Sequence, residues 1–307
     1  MTESLAPTAA PGGDAANPVG EARSLGADAR RALVRNPMFW ISAVMIAVFV
    51  VMAFWPSLFT NTDPGHAVLQ EARQRPNADA WFGRDIQGYD IYSRVIYGAR
   101  ASILVGVFTT IFTTTLGAII GVIAAFYGRW VDALLSRLTD MVFAIPLLLG
   151  AILFMSAFPA KGDPYFLVIL KVVTAISLLG WPSLARLMRS SVLQVLPNDY
   201  VQAARALGAS PLRIIRSHIL PNAMGPIIVV ATINLGAYIA VEATLSFLGI
   251  GLVPPVISWG VMINDALVGL RTTPHMLIFP SLFLSLTVLA FIMLGDAVRD
   301  AFDPKTR

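Results

Sequence analysis

Few residues in this chain have the types and spacing that chemistry requires. The three histidines, His66, His218 and His275, share no ligand spacing, and there is no cysteine. Disulfides and thiolate metal sites are thereby excluded, and no metal site is assigned. No Gly-x-x-x-x-Gly-Lys-[Ser/Thr] run is present, so the chain carries no phosphate loop for a nucleotide. Three polar features remain. Lys171 and Glu242 fall inside long apolar runs. Asp85, Gly88, Asp90, Ser93 and Arg94 crowd acids and a base into ten residues. Residues 199–222 form a polar insert between two apolar stretches. No nucleophile stands with a base, so the chemistry on offer is ion pairing, hydrogen bonding and contact with a partner.

The elements that must position these groups are apolar helices. Of 307 residues, 56% are hydrophobic and only 13% are charged, and the mean hydropathy is +0.72. Soluble domains carry roughly 25% charged residues. About 20 apolar residues are needed to cross roughly 30 Å of hydrocarbon, and six segments qualify: 38–58, 101–127, 138–158, 165–187, 223–247 and 277–294. The expected fold is therefore an all-α integral membrane protein with six transmembrane helices. With the N-terminus inside, 14 of the 22 Lys and Arg residues fall on inner segments and seven on outer ones, with Lys171 left within a span. This bias predicts cytoplasmic termini and a cytoplasmic 188–222 segment. The net charge of +4 belongs to those loops and implies no nucleic-acid partner. Residues 1–29, rich in Ala, Gly and Pro, are expected to be a disordered cytoplasmic tail, followed by a single membrane domain over 30–307 with an extracytoplasmic loop at 59–100. A charge inside a span must face the bundle interior, pair, or meet water. Glu242 and Lys171 lie at similar depth from the outer ends of their spans. They are expected to lie near one another or to line the outer half of a translocation pathway. The alternative is that Lys171 reaches the headgroups while Glu242 bonds at a helix interface.

The 199–222 insert has its own local signals. Asn198 or Asp199 can cap a first helix, with Gln202 placed for a capping box. Gly208 falls where a helix takes a left-handed C′ residue. Ser210 and Pro211 read as the N-cap and first position of a second helix, and Pro221 is expected to stop it. Two short helices joined by a glycine elbow are predicted.

That segment resembles the "EAA" loop of ABC-type importer permeases: Glu-Ala-Ala, three residues, Gly, then a spacer ending in a hydrophobic residue and Leu-Pro. The matching residues are Gln202-Ala203-Ala204, followed by Arg205, then Gly208-Ala209 and Ile219-Leu220-Pro221. Gln202 replaces the usual Glu, so it can cap and hydrogen-bond but cannot form a salt bridge. Residues 81–100, ending Tyr97-Gly98-Ala99-Arg100, resemble a segment typical of the dipeptide, oligopeptide and nickel branch. They depart from it at Phe82, Arg84 and Tyr89 but retain Asp85, Gly88, Asp90, Ser93 and Arg94. The run Leu245-Ser246-Phe247-Leu248-Gly249-Ile250-Gly251, with Ser258-Trp259-Gly260 beyond it, and the run 294–304 are similar to the same branch.

The resemblance implies a type I ABC importer permease fold with cytoplasmic coupling helices in a bacterial inner membrane. It implies one or two cytoplasmic ATPase subunits docked on the 199–222 loop, with ATP and Mg bound there and not on this chain. It further implies a second, homologous permease subunit forming a heterodimer, surrounding membrane lipid, and an extracytoplasmic substrate-binding protein for which 85–94 is a gate or docking surface. The cargo expected of the branch is a peptide or a related small solute. A secondary transporter would show internal repeats around discontinuous spans, and an intramembrane enzyme a convergent catalytic set; the sequence shows neither.

Overall fold

The computed structural model describes residues 31–302, so the expectation of a disordered tail at 1–29 lies outside the described residues. Among the described residues five helices are long and apolar enough to cross a membrane: α1 (Pro37–Phe54), α2 (Ile91–Tyr127), α5 (Tyr165–Val195), α8 (Leu220–Phe247) and α10 (His275–Phe302). Among the described residues β-structure is confined to two isolated antiparallel bridges, Ala67 with Tyr89 and Arg84 with Asp90, inside the long loop.

The third expected span differs. In place of one helix over 138–158 there are two, α3 (Arg129–Phe143) and α4 (Leu147–Ala157), bent by 80° at the break. Pro146 is the cause. It has no N–H to donate and restricts the residue before it, and the Ile145 N–H turns back to Val142 O at 3.1 Å. The apolar run continues through the break, which hid it from a count of hydrophobic residues.

α2, α5, α8 and α10 outrun their apolar stretches, whereas α1 ends at Phe54, short of the expected 58. α2 begins at Ile91, so the loop expected at 59–100 closes before that residue, and α5 continues to Val195. Apolarity marks the slab of hydrocarbon, whereas the hydrogen-bond ladder continues as long as caps permit. Asp90 supplies such a cap: its Oδ1 accepts from the Ser93 N–H at 2.7 Å.

The core is built around α2 against α5. Gly117 and Gly121 let the two backbones approach: a Cβ on Gly121 would stand 2.6 Å from Ala185 O, and one on Gly117 2.8 Å from Leu184 Cβ. Small residues at such contacts are how helices associate where lipid is as apolar as leucine. At one end of the bundle Phe49, Ile91, Trp259 and Met276 join α1, α2, the short helix α9 (Trp259–Ala266) and α10. At the opposite end Val122, Met188 and Val192 pack with Val201, Ala204, Ile214 and Ile219 of the polar insert.

Candidate functional site

The insert at 199–222 is an elbow standing on that second core. α6 (Asp199–Ala206) ends in a Schellman turn. Gly208 takes φ +77°, its N–H reaches Arg205 O at 3.0 Å, and Ala209 N–H reaches Ala204 O at 3.1 Å. Ser210 then precedes α7 (Pro211–Ile214) with Pro211 at the first helical position. Two local expectations are corrected. Gln202 closes no capping box: the Asn198 N–H is already taken by Val195 O at 3.2 Å, and the Gln202 Nε2 donates instead to Leu196 O at 2.7 Å. Pro221 stops nothing: α7 runs through one π-helical turn, Ile215–Ile219, into α8, and Pro221 follows directly on that turn. Ala203, Arg205 and Ala209 lie on the elbow, and Arg205 stacks 5.4 Å from the Phe126 ring. Leu207 and Leu212 project outward at 88% and 62% exposure.

The acid and base cluster lies at the other end of the bundle. Asp85 and Arg94, 7% and 9% exposed, pair at 2.9 Å. Asp85 Oδ1 also accepts from Gln87 N–H (2.8 Å) and Tyr89 N–H (3.0 Å). Arg94 stacks 4.6 Å from the Tyr89 ring. Ser93 Oγ donates to Thr62 O at 2.6 Å, and Gly88 turns the loop at φ +86°. All five residues singled out there meet in one knot that ties the long loop to the start of α2. Asp265, on α9, reaches the same knot. Burial pushes its carboxyl above the ordinary 3.8, opposed by Arg94 and reinforced by Asp85. A void of about 10 Å³ among Asp85, Arg94 and Asp265 has the room of one water molecule.

Glu242 and Lys171 have separate surroundings. Glu242 is fully enclosed, its Oε1 accepting from Ser246 Oγ at 2.8 Å and Ser258 Oγ at 3.2 Å, with the Ser102 hydroxyl also against the carboxylate. The carboxylate thus joins α8, α2 and the N-cap of α9. Lys171 instead pairs with Asp163 and donates to Pro159 O at 2.8 Å, in the turn between α4 and α5.

Two further ion pairs escaped the sequence reading. Arg189 makes a two-pronged bond with Asp132, both contacts 2.6 Å, and Arg186 bonds Asp140 at 2.8 Å while stacking 4.1 Å from Phe143. Both fasten α3 to α5. The spacing of Asp132, Ser136 and Asp140 along one face of α3 was their available signal.

Comparison with known proteins places this architecture. Residues 117–307 match the family model of the binding-protein-dependent transport system inner membrane component. Residues 24–77 match the N-terminal TM domain of oligopeptide transport permease C. The chain is 37% identical to the oligopeptide transport system permease protein OppC of Bacillus subtilis over 98% of this chain and 96% of that protein. It is 38% identical to the dipeptide transport system permease protein DppC of the same organism, over 91% and 86%. The glutathione transport system permease protein GsiD of Pectobacterium atrosepticum is 34% identical over 90% of each chain. Among solved structures, the MetNI methionine ABC transporter in inward-facing conformations superposes with a TM-score of 0.55 at 19% identity, over 68% of this chain and 96% of that one; at that identity the likeness is one of fold. With five spanning helices, a bent sixth and this elbow, the chain belongs to the family of inner-membrane permease components of binding-protein-dependent ABC transport systems.

Proposed function

We propose that this chain is one of two permease subunits of an importer that carries di- or oligopeptides inward, driven by ATPase subunits docked on the 199–222 elbow. The observation that carries this reading is the pair Leu207 and Leu212. Two large apolar side chains held out on a polar elbow that is itself anchored in the core are a surface that a partner protein can cover. In this reading Gln202, Ala203, Ala204, Arg205, Gly208, Ala209, Ile219, Leu220 and Pro221 form the coupling loop on the cytoplasmic side, together with both termini. Closure of the ATPases on ATP pushes the elbow. The buried Val201, Ala204, Ile214 and Ile219 pass that push to α2, α5 and α8 as a rigid-body movement. The chain itself hydrolyses nothing; ATP and Mg belong to the ATPases.

The Asp85–Arg94 knot then faces outward as the platform for a substrate-binding protein. Peptide cargo is supported by the relatives, whose names specify oligopeptide, dipeptide and glutathione transport. The test is purification of the assembled complex and reconstitution with its binding protein. Leu207→Glu with Leu212→Glu is expected to lower ATPase retention at least tenfold and to abolish uptake of labelled dipeptide. Full uptake by that variant, or labelling of the elbow from outside the cell, would overturn the reading.

A further inference from the structure

A helix break, a helical glycine and a helical asparagine fall at one depth on three helices. Measured from the ends nearest the long loop, Pro146 of the α3–α4 break, Gly180 of α5 and Asn234 of α8 lie about 16–23 Å down. That is near the middle of a bilayer roughly 30 Å thick, allowing for helix ends that project beyond it. All three line one cavity of about 350 Å³, with Ile145, Ser183 and Tyr238 among its other walls. A break in backbone hydrogen bonding at that depth is stable only where protein or water meets the freed groups. The polar side chains are gathered at the same place. Asn234 is half-buried, Ser183 Oγ bonds Gly180 O at 3.3 Å, and the Tyr238 hydroxyl lies so close to Gly180 that a Cβ there would stand 2.9 Å from it. No Asp, Glu, Lys, Arg or His lines the cavity. Glu242, one turn beyond Tyr238, is sealed off.

We propose that this cavity is the mid-membrane contact site for cargo, and that it recognises the peptide main chain. The Asn234 carboxamide offers one donor and one acceptor face to a peptide group, the arrangement two amides adopt with each other. Ser183 lines the same cavity, the Tyr238 hydroxyl is taken up by Thr113 of α2, and the apolar walls accept side chains of any identity. An uncharged lining holds neither terminus of the peptide, so contact is weak and release is not retarded. The inference rests on the peptide-importer reading and gives it a location on this chain.

The test exploits the absence of cysteine. Single variants Ser183→Cys and Asn234→Cys, in the assembled complex in proteoliposomes, are exposed to a charged methanethiosulfonate reagent. Leu178→Cys, on a face of α5 that borders a separate, largely apolar cleft against α2, is the control. The cavity residues are expected to react at least tenfold faster than the control, and dialanine delivered by the binding protein with ATP is expected to slow them. Equal reactivity, or no effect of dialanine on a complex that transports it, overturns the assignment. In parallel, Asn234→Leu is expected to lower dialanine uptake about tenfold while stimulated ATP hydrolysis persists. Unchanged uptake also overturns it. If the unaltered complex takes up no peptide, the cargo reading fails instead, and the reactivity contrast still decides whether the cavity holds water.

Discussion

Asp85 and Arg94 stand nine residues apart and are nearly enclosed, so each is the main compensation for the other's lost hydration. Removing one partner of such a pair costs about 3–5 kcal/mol because the remaining charge is stranded. Arg94→Met is therefore expected to lower the thermal stability of the detergent-solubilised chain by that order. Asp85→Asn combined with Arg94→Met is expected to recover much of it, and a double variant no more stable than the single one would refute this account. Asp265 behaves in the opposite sense. Its carboxyl is held above the ordinary 3.8 by burial, so its contribution to stability is complete below that pH and is lost as pH rises through the elevated folded value. Asp265→Asn is expected to unfold at a higher temperature than the parent near neutral pH, with the gap closing on acidification. A variant less stable at neutral pH would contradict it. The Asp85–Arg94 pair was legible because both residues lie in one short segment. Asp265, some 170 residues further on, gave no comparable signal.

The elbow shows how much one residue's backbone determines. Nothing lies within 4 Å of a Cβ built on Gly208, yet its φ is +77°. A side chain there meets no neighbour and suffers only the left-handed backbone, which costs roughly 1–2 kcal/mol. Gly208→Val is expected to loosen the elbow and reduce ATPase retention, with Gly208→Asn close to the parent, as pull-down from solubilised membranes would measure. Equal retention by all three would remove the turn from the mechanism. The turn was readable because glycine at C′ has a local cause. The fates of Gln202 and Pro221 were not: the first depended on Val195 O having already taken the Asn198 N–H, the second on a π turn that carries the helix on into α8. The break in the third span was hidden for a related reason: Pro146 was visible, but proline within an apolar run is compatible with a slight bend or with the 80° turn found.

Across the whole molecule the contact of α2 with α5 is the spine to which the remaining helices attach. Gly121→Leu would force Ala185 and Met188 away. It is expected to abolish a monodisperse peak in size-exclusion chromatography, whereas Gly117→Ala, with one carbon to place, is expected to lower yield only in part; a normal profile for the leucine variant would show that the spine is more pliable than its packing implies. The sequence by itself determined the membrane class, the order of the spans and the position of the elbow. Apolar run length, caps and left-handed glycines are properties of a few consecutive residues. Only the tertiary structure decided that Glu242 closes a serine-lined junction of three helices, that Lys171 pairs with Asp163, and that a broken helix and two helix midpoints share one cavity. Those outcomes depend on which faces of distant helices meet. The steric fit that selects them involves residues far apart in the chain, whose pairing no local pattern encodes.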